Sequence, residues 1–353
     1  MKNRFKNKIL IGVASLASVV TVLGQTETST DPVGAITVSF EGSSGGQKST
    51  NIFSVPLLPM SETIEGVAAG SISSVGSQSV QVDDAGWTPG GLSSEVAPFL
   101  LRLKSGTMAG LTLPISTTLE NTATEIFLEP TVNGEAIDLI DLGIQDGDRF
   151  CILPLDTLRS FFGDPASTGI IGGESAGEAD TILLFDGVWR VFFFHTGKDA
   201  WVESTFGFPI ADNRQLLPDN AVFFERIGTS PLEFTVTGGV PVEDRAAITS
   251  ASGVTFLSNG WPVGTTLGES GIEDIPGWRS GGNASSSDLV YIRSETSGWQ
   301  TYFHNGTEWK RSTFGFPSAS NVELPVASGI ILDRSGGSAG AGNILAQEKP
   351  YNL

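Results

Sequence analysis

Histidine and cysteine are almost missing from this chain: 353 residues hold two of the first and one of the second. An intrachain zinc site takes three or four nitrogen, sulfur or carboxylate ligands, so carboxylates would have to supply most of any metal centre, and neither metal nor other cofactor is expected. A lone cysteine excludes an intrachain disulfide. Positive charge is scarce too, with 20 Lys and Arg against 39 Asp and Glu and a formal net charge of -19. A polyanion of this kind repels phosphate backbones and anionic lipid heads, which argues against nucleic acid and against peripheral membrane binding. Helical periodicity is the last absence. Past residue 30 no window of a dozen residues keeps apolar positions at i, i+3, i+4 and i+7 without a Gly or Pro breaking it.

Four of the few cations (Lys2, Arg4, Lys6, Lys8) stand in the first eight residues, ahead of the uncharged stretch ILIGVASLASVVTVLG over 9–24. As a helix this stretch is about 24 Å long, short of the ~30 Å hydrocarbon core. It reads as the apolar region of a secretory signal peptide, residues 1–24, cleaved after Gly24. The expected location is therefore periplasm, cell surface or medium, with no membrane span in the mature chain.

What fills the rest is short runs of β-branched and aromatic residues, such as AITVSF (35–40), PFLLRLK (98–104) and RFCIL (149–153), punctuated by Gly, Asn, Asp and Ser. This pattern predicts an all-β protein, with helical turns only near LDTLRSFFG (155–163) and DLIDLG (138–143). One sequence occurs twice: FHTGKDAWVESTFGFP (194–209) and FHNGTEWKRSTFGFP (303–317) share STFGFP. Around it Trp189 answers Trp299, His195 answers His304, Trp201 answers Trp309, Phe150 answers Phe256, and Glu225-Arg226 answers Asp333-Arg334, at offsets of 106 to 110 residues. The expected organisation is an N-terminal β domain (34–145), a first β repeat (146–228), a linker (229–252), a second repeat (253–336) and a tail (337–353), the repeats forming sandwich- or barrel-like meanders. Asn305-Gly306 predicts a type I′ hairpin turn. The matching loop Thr196–Asp199 is one residue longer, which would set Phe194 opposite Trp201 and Phe303 opposite Trp309.

Together with APFLLRLKSGTMAGLTLPIS (97–116), GDRFCILPLDTLRSFFG (147–163) and SNGWPVGTTLGESG (258–271), these meanders resemble an uncharacterised exported bacterial family. The likeness covers most of the mature chain and implies export and a repeated β architecture. It contributes no catalytic residue. Leu155-Asp156 departs from the aromatic that such proteins often place before the position of Thr157.

Trp189, Trp201, Trp299 and Trp309 are the candidate ligand-binding residues. Exposed, they would be stacking platforms for sugar rings; the expected role is the other, burial in the two cores with Phe192, Phe193, Phe206, Phe208, Phe314 and Phe316. His195 and His304 could form a pH-sensitive pair or hold a weakly bound metal with Asp199 and Glu308, although a hairpin bond to the imidazole explains them more simply. Gly173-Glu174-Ser175-Ala176-Gly177 matches G-x-S-x-G, whose chemistry needs a strand before the serine and a helix after it; the sequel here reads as a strand. The acidic pairs Asp83-Asp84, Asp146/Asp148 and Glu243-Asp244 lack the spacing of a calcium loop. The expected function is that of a non-enzymatic, modular surface, matrix or filament protein, its partners surface polysaccharide or other exported proteins. A carbohydrate-binding module is the second reading and a hydrolase the third.

Overall fold

Val, Ile, Thr and aromatic side chains fit a pleated, half-buried surface better than a helix. The computed structural model describes residues 32–59, 68–294, 298–336 and 343–352, so the signal peptide expected at 1–24 lies outside the described residues. The class is all-β. Among the described residues helix is confined to α1 (Leu158–Phe162), α2 (Pro165–Thr168) and three short 3-10 turns, and no helix is long and apolar enough to cross a membrane.

Fourteen strands carry the two main sheets and their flanking ladders: β1 (Val33–Phe40), β2 (Ser49–Phe53), β3 (Thr181–Phe185), β4 (Trp189–His195), β5 (Ala200–Glu203), β6 (Val222–Arg226), β7 (Leu232–Gly239), β8 (Arg245–Ile248), β9 (Gly253–Ser258), β10 (Leu289–Ser294), β11 (Gly298–His304), β12 (Trp309–Arg311), β13 (Gly329–Arg334) and β14 (Ile344–Gln347). The first sheet has the order β5-β4-β3-β6-β2 and the second β12-β11-β10-β13-β9. Both are antiparallel throughout. A two-stranded ladder flanks each, β1 with β7 and β8 with β14. Phe192, Phe194, Trp201 and Phe224 of the first sheet close a core with Phe40, Phe53 and Phe162. Val290, Tyr302, Trp309 and Leu332 close the core of the second.

The sheets cross the boundaries read from the sequence. β1 and β2 come from the segment expected to fold by itself at 34–145, yet β2 pairs with β6 and β1 with β7, which lies in the expected linker. The chain after β2 builds a separate set of sheets. One of them orders Ala68–Ser71, Arg149–Pro154, Phe99–Leu103 and Thr112–Pro114, over a core that includes Leu101, Leu113, Ile126 and Ile152. It then returns through α1 and α2 to β3. Phe150 therefore does not match Phe256: Phe256 lies on the edge strand β9, and β2 holds that place in the first sheet. Ile344–Gln347, read as tail, is the strand β14.

The hairpins also differ from expectation. Phe194 faces Trp201, but His304, not Phe303, faces Trp309, and His195 faces Ala200. Both loops hold four residues. The β4–β5 ladder is one pair longer, so the two histidines occupy different rungs. At Asn305-Gly306 only the glycine has positive φ (94°). Asn305 accepts the N–H groups of Thr307 and Glu308 on its side chain, both at 2.9 Å, an arrangement that asparagine favours and that replaces the type I′ turn.

One constellation stands in both sheets and went unread in the sequence. Asp180, fully buried, accepts the N–H of Ile171 (2.9 Å) and of Ile227 (2.8 Å) and pairs with Arg226 at 2.9 Å. Asp288, equally buried, accepts the N–H of Arg279 (2.9 Å) and of Ser335 (2.8 Å) and pairs with Arg334 at 3.7 Å. Each carboxylate ties the entry of its sheet's middle strand to the end of the strand beside it. The sheets meet by two bridges of like placement: Phe53 with Ser328, and Leu257 with Asn220. Ser54 N–H donates to Ala327 O, and Ser258 N–H to Asp219 O, each at 2.9 Å.

Candidate functional site

Alternate residues of a strand point to opposite faces. On β4 this sends Phe192 and Phe194 into the core and leaves Trp189, Val191 and Phe193 on the outer face. The four candidate tryptophans separate accordingly. Trp201 and Trp309 are core residues, 0% and 1% exposed. The Trp201 indole donates to Gly163 O at 2.9 Å and the Trp309 indole to Glu273 at 3.2 Å. Neither can be a platform. Trp189 and Trp299 remain 49% and 41% exposed.

These two lie on one surface where the outer faces of both sheets meet. Trp189 packs its ring 5.3 Å from Phe185, 5.3 Å from Phe223 and 4.9 Å from Phe256. Trp299 lies 6.2 Å from Phe223, and Phe223 lies 5.4 Å from Phe256. Edge-to-face and tilted contacts at these distances suit aromatic quadrupoles, and they fix the two indoles against three phenyl rings. Beside Trp189, Asp186 accepts from Arg190 (2.9 Å) and Arg214 (2.8 Å). Partial burial works against ionisation there, but the two guanidinium groups hold the Asp186 carboxyl below the usual carboxylate range.

His195 is buried; its Nδ1 accepts the N–H of Gly197 at 3.1 Å and lies 3.6 Å from Glu174. His304 makes a 3.0 Å hydrogen bond with Ser280. The two belong to different sheets, and among the described residues no three His, Cys, Asp or Glu side chains gather to hold a metal. Ser175 sits in a bend, with strand β3 and no helix after it.

The repeated STFGFP also differs from the core role expected for all its phenylalanines. Phe208 packs on Phe193 at 5.5 Å and Phe316 on Phe303 at 5.4 Å, both near perpendicular. Phe206 and Phe314, by contrast, are fully exposed. Each loop folds back along the outer strand of its sheet: Glu203 N–H donates to Pro209 O and Arg311 N–H to Pro317 O, both at 3.0 Å. That covers edges otherwise open to pairing with other chains. It requires positive φ at Phe208 (47°) and Phe316 (43°), a backbone state that is strained for a bulky residue.

The chain matches no family model, no curated protein and no solved structure.

Proposed function

We propose that this is an exported, non-enzymatic β protein that works by binding, as a surface, matrix or filament component, and that the Trp189–Trp299 patch is its glycan contact. The observation that carries this reading is the patch: two half-exposed indoles, supplied by two sheets and joined through the shared ring of Phe223, present fixed apolar faces of the kind that sugar rings stack on. Binding to a prearranged surface avoids the cost of ordering rotamer-rich side chains. Export is supported by the basic start and short apolar stretch of residues 1–24.

We also read the two sheets as copies of one unit, the first carrying residues 54–154 as an insertion between β2 and α1. Support comes from the common strand order and from Asp180-Arg226 and Asp288-Arg334, which recur at one offset of 108 residues. A second reading, contact with other exported proteins, is favoured by the fully exposed Phe206 and Phe314. A glycan-array screen of the chain from Gln25, read beside its mass in solution, tests both. Discrete glycan hits on a monomer support the first reading; an empty array on a self-associating chain supports the second.

A further inference from the structure

The two sheets agree in order, which makes one difference between them informative. In the first sheet Phe192 faces Glu203 across the strands. Glu203 pairs with Arg190 at 3.0 Å, Arg190 and Arg214 share Asp186, and Arg214 lies over the Phe192 ring at 5.9 Å. The ion pairs there close among themselves, although Arg214 Nε, like Arg311 Nε, is buried without a hydrogen-bond partner. In the second sheet Tyr302 faces Arg311 instead. Gln300 holds the rung of Arg190, two residues before the ring. Val322 holds the place of Arg214: Arg214 N–H donates to Ala211 O and Val322 N–H to Ala319 O, each at 3.0 Å. Among the described residues Arg311 makes no ion pair, and its buried Nε has no hydrogen-bond partner.

Arg311 lines an open cleft of about 640 Å³, with Tyr302, Gln300, Ser328, Asn51 and the β1 residues Thr37 and Ser39. The Ser328 hydroxyl is also buried without a partner. Glu41 and Arg293, paired with each other at 3.2 Å, belong to the wall, as does the exposed Glu323. The corresponding face of the other half is occupied. There the β8–β14 ladder presents Ala246, Ile248 and Ile344, and the core of residues 54–154 packs on them, while Asn133 donates to Ile248 O at 2.8 Å. Where protein docks, the ladder is apolar. On the β1–β7 ladder the matching residues are Thr37, Ser39 and, opposite Ser39, Glu233, with Thr235 opposite Thr37; all four are exposed, so a hydrated, hydroxyl-rich occupant fits better than an apolar protein surface. An unpaired guanidinium fork matches a carboxylate in both charge and shape.

We propose that this cleft binds a uronic-acid-containing glycan, with Arg311 on the sugar carboxylate and Tyr302, Gln300 and Ser328 on its hydroxyl groups. The chain's net charge of -19 opposes a polyanion at long range. At physiological salt, however, the screening length is only about 8 Å, and the local cation decides. The choice of a glycan extends the function proposed above, but the site does not depend on the tryptophan patch.

The test is calorimetric titration of the full chain with short oligomers of galacturonic, glucuronic and mannuronic acid, and with their carboxyl-reduced forms. At least one uronate series is expected to bind and its reduced form not to. Arg311→Ala should weaken that binding by about tenfold or more, the usual weight of a charge-assisted hydrogen bond, and Arg311→Lys should keep part of it. Both variants should melt close to wild type, because among the described residues the Arg311 side chain has no ion pair and its Nε no hydrogen-bond partner to lose. Glu203→Gln, which disturbs the matching place in the first sheet, should bind uronate normally. Absence of binding to all three series, equal binding of the reduced forms, or wild-type affinity in Arg311→Ala would each overturn the site. Binding of neutral glycans reads the tryptophan patch separately, so either proposal can fail alone.

Discussion

Asp288→Asn removes one negative charge from a place that water does not reach. Asp288 and Arg334 are both 0% exposed in their side chains. Arg334 also donates to Ser250 O (3.0 Å), Asn343 (2.8 Å) and Pro276 O (2.7 Å), so it cannot swing out to solvent without breaking three further bonds. The substitution leaves only Glu135 to offset its charge, and turns an NH2 group toward one of two backbone N–H groups, from Arg279 and Ser335, that now find an acceptor. Breaking a buried pair by removing one partner costs about 3–5 kcal/mol. Asp180→Asn should cost at least as much, since Asp180 also accepts two backbone amides and, unlike Asp288, takes a guanidinium N–H at hydrogen-bond distance, from Arg226 at 2.9 Å. Urea unfolding of the full chain, followed by tryptophan fluorescence, gives the two midpoints, with the exposed Asp83→Asn as reference. Two variants within about 0.5 kcal/mol of wild type would refute the reasoning; a large loss in only one would show that the two constellations are not equivalent.

Trp201→Ala and Trp309→Ala should each lower stability by about 3–5 kcal/mol, as truncation of a buried aromatic does; a loss under about 1 kcal/mol would place the indoles outside the cores. Burial pushes the Asp156 carboxyl up, and the hydrogen bond from Ser160 only partly offsets this. Its folded form therefore holds the proton more tightly than the unfolded chain, and the stability this contributes is full below about pH 4 and lost as pH rises through the raised value. Asp156→Asn should accordingly stabilise the protein near neutrality and not at about pH 3; a gain that does not vary with pH would contradict this. Gly306→Ala should cost about 1 kcal/mol through its left-handed backbone, since no atom stands within 4 Å of the added carbon and no clash contributes; an unchanged melting temperature would show that the loop relaxes.

The strand content was legible because β-branched and aromatic runs between glycine-rich turns have few other uses. Which face each strand buries was not. WRVFFFH is apolar at both odd and even positions beyond its arginine, so alternation alone could not put Trp189 outside and Phe192 inside. STFGFP misled for a related reason: its second phenylalanine packs on the outer face of its sheet and not in the main core, its glycine serves the loop that covers the edge, and its first phenylalanine is left in solvent. The pairing of β1 with β7 joins residues about two hundred positions apart, beyond any local pattern, and with it went the insertion. The buried aspartates did leave a trace. Asp180 and Asp288 each open an apolar strand and share one offset with Arg226 and Arg334, but a single acid before a strand reads as a turn residue until its arginine is found.

The most direct test of the binding function is the Trp189→Ala/Trp299→Ala double variant, measured for thermal stability and for retention on the polysaccharides that hold the wild-type chain. Near wild-type melting with retention lost is the expected result, because both indoles are about half in solvent and their loss removes stacking surface more than packing. Retention equal to wild type in a folded double variant would contradict the proposal that this aromatic surface is the glycan contact.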